Sequence, residues 1–352
     1  MQRPETQEAI VAEETLQLVQ ATHKEMADRW RHHFHAWGKG LTLELYLRRE
    51  EALNDGEFCR KSVRMWLLKN AAEEILASCE TYATRLWHGE AEGDLHQLKA
   101  ESVASVLVEP KLRNQGHAAT LMRQLGMQLQ QEGVMAAMLY SDVGPGLYRR
   151  AGYMLHPARE SVREVADEPW PETAEEIGLQ DVADLLKHEA QHVPARLAMT
   201  SAPSVIEVPS AAHIGWFHQR SQFRAWARER PPLESVGVRA PDGGFMLWTA
   251  DASEPVLHSL LWRPRSAKDA AILAQAAMAE AREHGLERVV WWDADRDTGL
   301  DPFRDPELQP PRTIAQKRES SLPMLAWLEE TPGQPTRPMP MVWGGIERFG
   351  WV

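Results

Sequence analysis

The sequence predicts an α/β protein of the α+β type, built as two lobes in which a mixed, mainly antiparallel sheet is flanked by helices. Three observations carry this reading. The 352 residues suffice for two domains of about 150 residues each, and a hydrophobic content of 43% can fill two cores. An order of strand, strand, helix, glycine and strand runs from Ile75 to Tyr140 and recurs from Phe245 to Asp293, as a divergent duplication would leave it. Between the copies, ESVREVADEPWPETAEEIG (Glu160 to Gly178) is acidic, broken by proline and without apolar periodicity. The expected lobes are therefore residues 1–165 and 180–352, with a linker at 166–179.

The elements follow in order. After a polar, Glu-rich start, helical signals cover Asp28 to Trp37, then Thr42, a capping residue, through Leu53. Val63 to Leu68 and Ile75 to Leu86 read as strands of one antiparallel hairpin, and Leu95 to Val108 as a third strand. Glu109-Pro110 must end that strand, because proline cannot donate to a ladder. Ala118, Leu121, Met122, Leu125 and Leu129 share one face of a helix from His117 to Glu132, stopped by Gly133. Val134 to Tyr140 is apolar throughout, as in a strand covered on both faces, and Pro145 opens a short helix that Gly152 ends. In the second lobe, Phe245 to Ala250 and Val256 to Arg263 are strands, Ala267 to Glu283 a helix followed by Gly285, and Arg288 to Asp293 a strand. Asp301 to Pro311 and Thr331 to Pro340 are proline-rich loops, and Leu322 to Leu328 is a late strand.

Composition removes several function classes. Lys and Arg number 39 against 51 Asp and Glu, a net charge of −12, whereas binding nucleic acid through its phosphates wants the opposite sign. Cys59 and Cys79 can build neither a disulfide framework nor a thiolate metal site, and Cys79 reads as a small buried hydrophobe. No apolar run approaches the ~18 residues of a membrane span, and the start MQRPETQEAI lacks the pattern of a secretory signal. The expectation is a soluble, cytoplasmic protein without nucleic-acid or membrane partners. His23, His32, His33 and His35 lack the carboxylates of a helical zinc site and read as a solvated helix face, so no metal is expected.

The chemistry is concentrated in Val103 to Tyr153. Arg113-x-x-Gly116-x-Ala118 follows a proline-ended strand and opens an amphipathic helix. Gly116 and Ala118 admit a ligand close to the backbone, where the free N–H groups of the first helical turn and the positive end of the helix dipole converge. This is a phosphate cradle, and Arg113 adds a fixed cation.

On these residues the segment resembles the acetyl-CoA site of the GCN5-related N-acetyltransferases, the GNAT superfamily, and the order of elements agrees over residues 20–155. The strings LTLELYLRRE (Leu41 to Glu50), SCETY (Ser78 to Tyr82) and YSDVG (Tyr140 to Gly144) are similar to the fungal lysine N6-acetyltransferases of lysine degradation. The resemblance implies a GNAT fold with a second, degenerate GNAT-like lobe. It implies that acetyl-CoA pairs with the main chain at Val106 and Val108, that Arg113, Asn114, Gln115, Gly116, His117, Ala118 and Ala119 hold its pyrophosphate, and that Tyr148 protonates the departing thiolate. Trp37, Gly40, Tyr46 and Glu50 lie where such enzymes grip the acceptor; core packing would also explain Trp37 and Tyr46.

Attack by a lysine amine, with a pKa of ~10.4, needs a proton acceptor. The usual position falls near Ser102, beside Glu101, which departs from the common pattern and leaves Glu80, ranked first, Asp142 and Glu101 as candidates. Asp142 could equally anchor the amine or cap the Pro145 helix, and the terminal carboxylate of Val352 is a further candidate. The second lobe has Pro264-Arg-Ser-Ala267 where the cradle would stand, without glycine, so a second CoA is not expected. Its tryptophans (216, 226, 248, 262, 291, 292, 327 and 343) read mostly as core, and the lobe could wall the acceptor pocket. The expected activity is transfer of acetyl from acetyl-CoA to a small-molecule amine, the ε-amine of free L-lysine first. Another small amine, a protein lysine, or acetyl-CoA binding without catalysis are the alternatives.

Overall fold

The computed structural model describes residues 16–89, 95–198, 203–251, 254–293, 306–328 and 342–352. Most of the two proline-rich stretches expected at 301–311 and 331–340 lies outside the described residues. The chain opens with β1 (Gln17–Gln20), α1 (His23–Trp37), α2 (Leu43–Asn54) and α3 (Glu57–Ser62). Thr42 caps α2, its hydroxyl accepting the Leu45 N–H at 3.2 Å. β2 (Val63–Lys69), β3 (Ile75–Gly89) and β4 (Leu95–Val108) form an antiparallel meander. α4 (His117–Gln131) crosses to β5 (Ala136–Ser141), parallel to β4, and α5 (Gly146–Arg150) leads to β6 (Met154–Leu155). The apolar stripe of α4 is fully inside, at Leu121, Leu125 and Leu129.

From there come β7 (Arg159–Glu164), β8 (Glu175–Ile177), α6 (Val182–Leu197), β9 (Ser204–Glu207), α7 (Ala211–Ala227) and β10 (Gly237–Arg239). β11 (Phe245–Asp251), β12 (Val256–Arg263), α8 (Ala267–Glu283) and β13 (Arg288–Asp293) repeat the plan of β3, β4, α4 and β5, down to the parallel pairing of the last two strands. Gly133 and Gly285 both end their helices at positive φ, 73° and 62°. β14 (Ile314–Lys317), β15 (Leu322–Trp327) and β16 (Val342–Gly344) complete the chain.

Two sheets result. The second runs β14-β7-β13-β12-β11-β10-β8, so Arg159–Glu164, inside the stretch read as irregular, is a central strand. Its inward positions are Ser161 and Arg163, both buried, which is why no apolar alternation marks it. The first sheet runs β1-β2-β3-β4-β5-β15-β6, with β9 against the far end of β3 and β16 on β9. Three strands from the second half of the chain thus finish the first sheet. β15 inserts between β5 and β6, pairing Leu322 to Trp327 with Ser141 to Ala136. Most of the tryptophans read as core are buried, but Trp226 is 59% exposed at the end of α7. His33 is a second departure: it is buried, where a solvated face was expected, while His23, His32 and His35 are exposed. No described helix is long and apolar enough to cross a membrane.

Because Met324 is fully buried at the middle of the inserted strand, Met324→Ala is expected to lower stability by about 2–5 kcal/mol. Urea denaturation would read this as a drop in midpoint at constant slope.

Candidate active site

The site begins where two neighbouring strands part. β4 and β5 pair only from Ala100–Ala136 to Ser102–Met138, so beyond Ser102 the β4 backbone has no strand on that side. On its other side β4 carries one extra residue between Ala104, opposite Glu80, and Leu107, opposite Ser78. Ser105 absorbs this bulge with φ 53°. The gap opens into a cavity of about 520 Å³.

One end is the loop between β4 and α4. Asn114 and Gly116 have φ of 63° and 86°, which turns the chain into the helix. A Cβ placed on Gly116 would meet no atom within 4 Å, so the space above the first turn of α4 is open. Val106, Val108, Arg113, Asn114, Gly116, His117, Ala118 and Ala119 all line the cavity. Gln115 does not; its amide donates to the Lys111 carbonyl at 3.3 Å. The second lobe places a side-chain anion near the start of its corresponding helix. The buried Asp269 carboxylate accepts the N–H groups of Gly244 at 2.9 Å and Arg265 at 3.2 Å in front of α8.

Further in, Tyr148 on α5 and Glu80 on β3 line the same cavity, and both are buried. Burial pushes the Tyr148 phenol up to about 12. Burial, reinforced by Glu50, raises the Glu80 carboxyl from 4.5 to about 7, although the Tyr82 hydroxyl donates to it at 3.2 Å. Asp142 also lines the cavity, but its carboxylate accepts the Ser321 N–H at 2.8 Å and so ties the β5 end to the start of β15 rather than capping α5. Glu101 sits elsewhere: alternation along β4 turns it to the other face, where it pairs with Arg64 at 2.7 Å and lines a different cavity. Ser102 is buried and does not line the site.

The acceptor end is walled from both halves of the chain. Trp37, Tyr46 and Glu50 contribute from α1 and α2, and the buried His33 joins them; Gly40 does not line the cavity. Further residues complete it. Arg49 forms an ion pair with Glu50 and lies 4.7 Å from the Tyr46 ring centroid. Trp216 and Arg220 reach in from α7, where Arg220 lies over the rings of Trp351, at 4.6 Å, and Trp216, at 5.3 Å. Gly350, Trp351 and Val352 form the last wall. The N-cap Ser210 before α7 is the one local signal that could have announced this helix. Among the described residues, no group of three or more His, Cys, Asp or Glu could hold a metal ion.

Comparison with known proteins places this geometry. Residues 66–156 match an acetyltransferase (GNAT) domain, and residues 160–352, more than half of the chain, match the LYC1 GNAT-like C-terminal domain. The chain belongs to the GNAT superfamily. Solved GNAT structures share its fold across both lobes. A GCN5-related N-acetyltransferase from Kribbella flavida is 17% identical, with a TM-score of 0.53 over 89% of this chain and 71% of that one. A probable N-acyltransferase from Enterococcus faecalis V583 is 15% identical, with a TM-score of 0.57 over 90% of this chain and 73% of that one. A third, a GCN5-related N-acetyltransferase from Anabaena variabilis, is 13% identical at a TM-score of 0.53, over 90% and 73% of the two chains. At these identities the likeness is one of fold. No curated protein matches this GNAT chain.

Glu80 gives the site a titration that stability can read. Its folded pKa lies above its unfolded value, so the native state holds the proton more tightly and wild-type stability falls as pH rises from 4.5 to about 7. Glu80→Gln removes this dependence. The variant's stability advantage over wild type is expected to grow between about pH 5 and 8, to at most about 3 kcal/mol, measured by denaturation at matched pH.

Proposed function

We propose that this protein transfers acetyl from acetyl-CoA to the ε-amine of a small molecule, free L-lysine first, by direct attack. The observation that carries the reading is the joint placement, in one cavity, of an open helix N-terminus at Gly116, the phenol of Tyr148 and the buried carboxyl of Glu80. Residues 1–165 would supply most of the acetyl-CoA lobe, whose sheet β9, β15 and β16 complete, and 180–352 the lobe that walls the acceptor.

The free N–H groups that open α4, with Arg113, suit a pyrophosphate. The β4 main chain beyond Ser102, left without a strand partner on the β5 side, suits the extended pantetheine arm. Glu80, with a pKa near 7, is matched to take a proton from an ammonium as the amine attacks the thioester carbonyl. When the tetrahedral intermediate collapses, the carbon–sulfur bond breaks and Tyr148 gives its proton to the thiolate. The Tyr148 phenol is protonated through the neutral range and so has a proton to give, though burial makes it a weaker acid than an exposed tyrosine.

For the acceptor, the match of residues 160–352 supports the lysine reading, and so does charge. Arg49 is buried in the acceptor wall, and its Nη1 has no hydrogen-bond partner among the described residues. An acceptor that carries a carboxylate would satisfy it; a polyamine would not.

CoA-thiol release against free amino acids, polyamines and a lysine peptide tests the proposal. Turnover with free lysine is expected, and silence across the panel with acetyl-CoA bound would remove the enzymatic reading. Tyr148→Phe is expected to lower kcat by about 10²-fold or more. The kcat/KM for lysine is expected to rise with pH through about 7 as Glu80 ionises, a limb that should vanish in Glu80→Gln, and a wild-type profile without it would exclude Glu80 as the base.

A further inference from the structure

A second cavity, about 700 Å³, lies on the outer face of the β3–β4 hairpin and shares no lining residue with the first. α6 and the start of α7 wall it. Arg85 from β3, Lys99 from β4 and Lys187 from α6 all line it, and all three are exposed. Arg85 and Lys99 are direct register partners, so two like charges face each other across antiparallel strands. That pairing destabilises a sheet unless an anion lies between the two. Among the described residues none supplies it: Glu101, which also lines the cavity, pairs through Oε1 with Arg64 at 2.7 Å, its buried Oε2 has no hydrogen-bond partner, and no ion pair joins it to Arg85, Lys99 or Lys187. For a chain of net charge −12, three cations that form no ion pair with any carboxylate among the described residues point to an anion from outside.

Two further features agree. Ser210 and Ala211, at the N-terminus of the 17-residue α7, line the cavity; the Ser210 hydroxyl caps the His213 N–H at 3.1 Å, which leaves the N–H groups of Ala211 and Ala212 without an intrahelical acceptor. His213 lines it too; the residue is 4% exposed, and its Nε2 lacks a hydrogen-bond partner. The volume exceeds what a bare inorganic anion fills, and Phe58, Leu186 and Val208 add apolar wall.

We propose that this cavity binds an organic phosphate, its phosphate held by Arg85, Lys99, Lys187 and the amides that open α7, its body lying against the apolar wall. A phosphate monoester, with charge near −2 at neutral pH, matches the cations better than a carboxylate does.

The test is calorimetry on the full chain with CoA saturating the first cavity, using adenosine 5′-monophosphate, adenosine and inorganic phosphate as probes. The nucleotide is expected to bind and adenosine to fail. The Arg85→Gln/Lys99→Gln variant, altered only at exposed positions, is expected to weaken the nucleotide by about tenfold or more. Nucleotide binding that the variant leaves intact, or no binding of any phosphate, overturns the site. Inorganic phosphate binding as tightly as the nucleotide overturns the role of the apolar wall. A second measurement needs no ligand: in phosphate-free buffer of low salt, Arg85→Gln is expected to raise Tm by about 2 °C, because it removes the like-charge pair. A lowered Tm would show that Arg85 is already neutralised within the protein, and the proposal would fall.

Discussion

Two parallel strands that stop bonding to each other partway along their length leave a row of backbone N–H and C=O groups facing a gap. Such groups are costly to bury without partners, so the gap either collapses or is held open by what surrounds it. Here it is held open. The extra residue at Ser105 bends β4 away from β5, α4 fixes the far end of β4, and the acceptor walls keep the mouth apart. Every functional feature of the first cavity follows from that parting, because it brings the β4 backbone, the α4 N-terminus, Tyr148 and Glu80 onto one space.

The second lobe shows what the same plan becomes when the opening is closed. β11, β12, α8 and β13 repeat the arrangement, yet in front of α8 the buried Asp269 carboxylate accepts the amides of Gly244, before β11, and of Arg265. The lobe keeps its fold and turns α7 toward the first cavity, where Trp216 and Arg220 become wall.

Much of this was legible in the sequence wherever the signal is local. Pro110 follows the end of β4, Gly116 opens α4, and the strands and helix from Val256 to Asp293 lie where their periodicity and punctuation put them. What stayed hidden depends on partners far along the chain. Nothing in the period-two pattern of β9, β15 or β16 states that they join the first sheet. α7 buries His213, Ser221 and Arg224 beside its apolar residues, so it shows no clean stripe. Glu80 and Glu101 are both acids on neighbouring strands, and only the register of the β3–β4 hairpin decides which one meets the cavity. Arg49 lies within a string that the sequence marks only by resemblance; its place in the cavity wall comes from burial beside Glu50 and Glu80.

The insertion of β15 also orders events in time. During synthesis the first half of the chain leaves the ribosome with β5 fully formed in sequence but with one edge unpaired, and that edge is apolar. It must wait, exposed to other chains, until residues 322–327 arrive from the far end of the second lobe. The lobe that is translated first is therefore incomplete until nearly the whole chain has emerged.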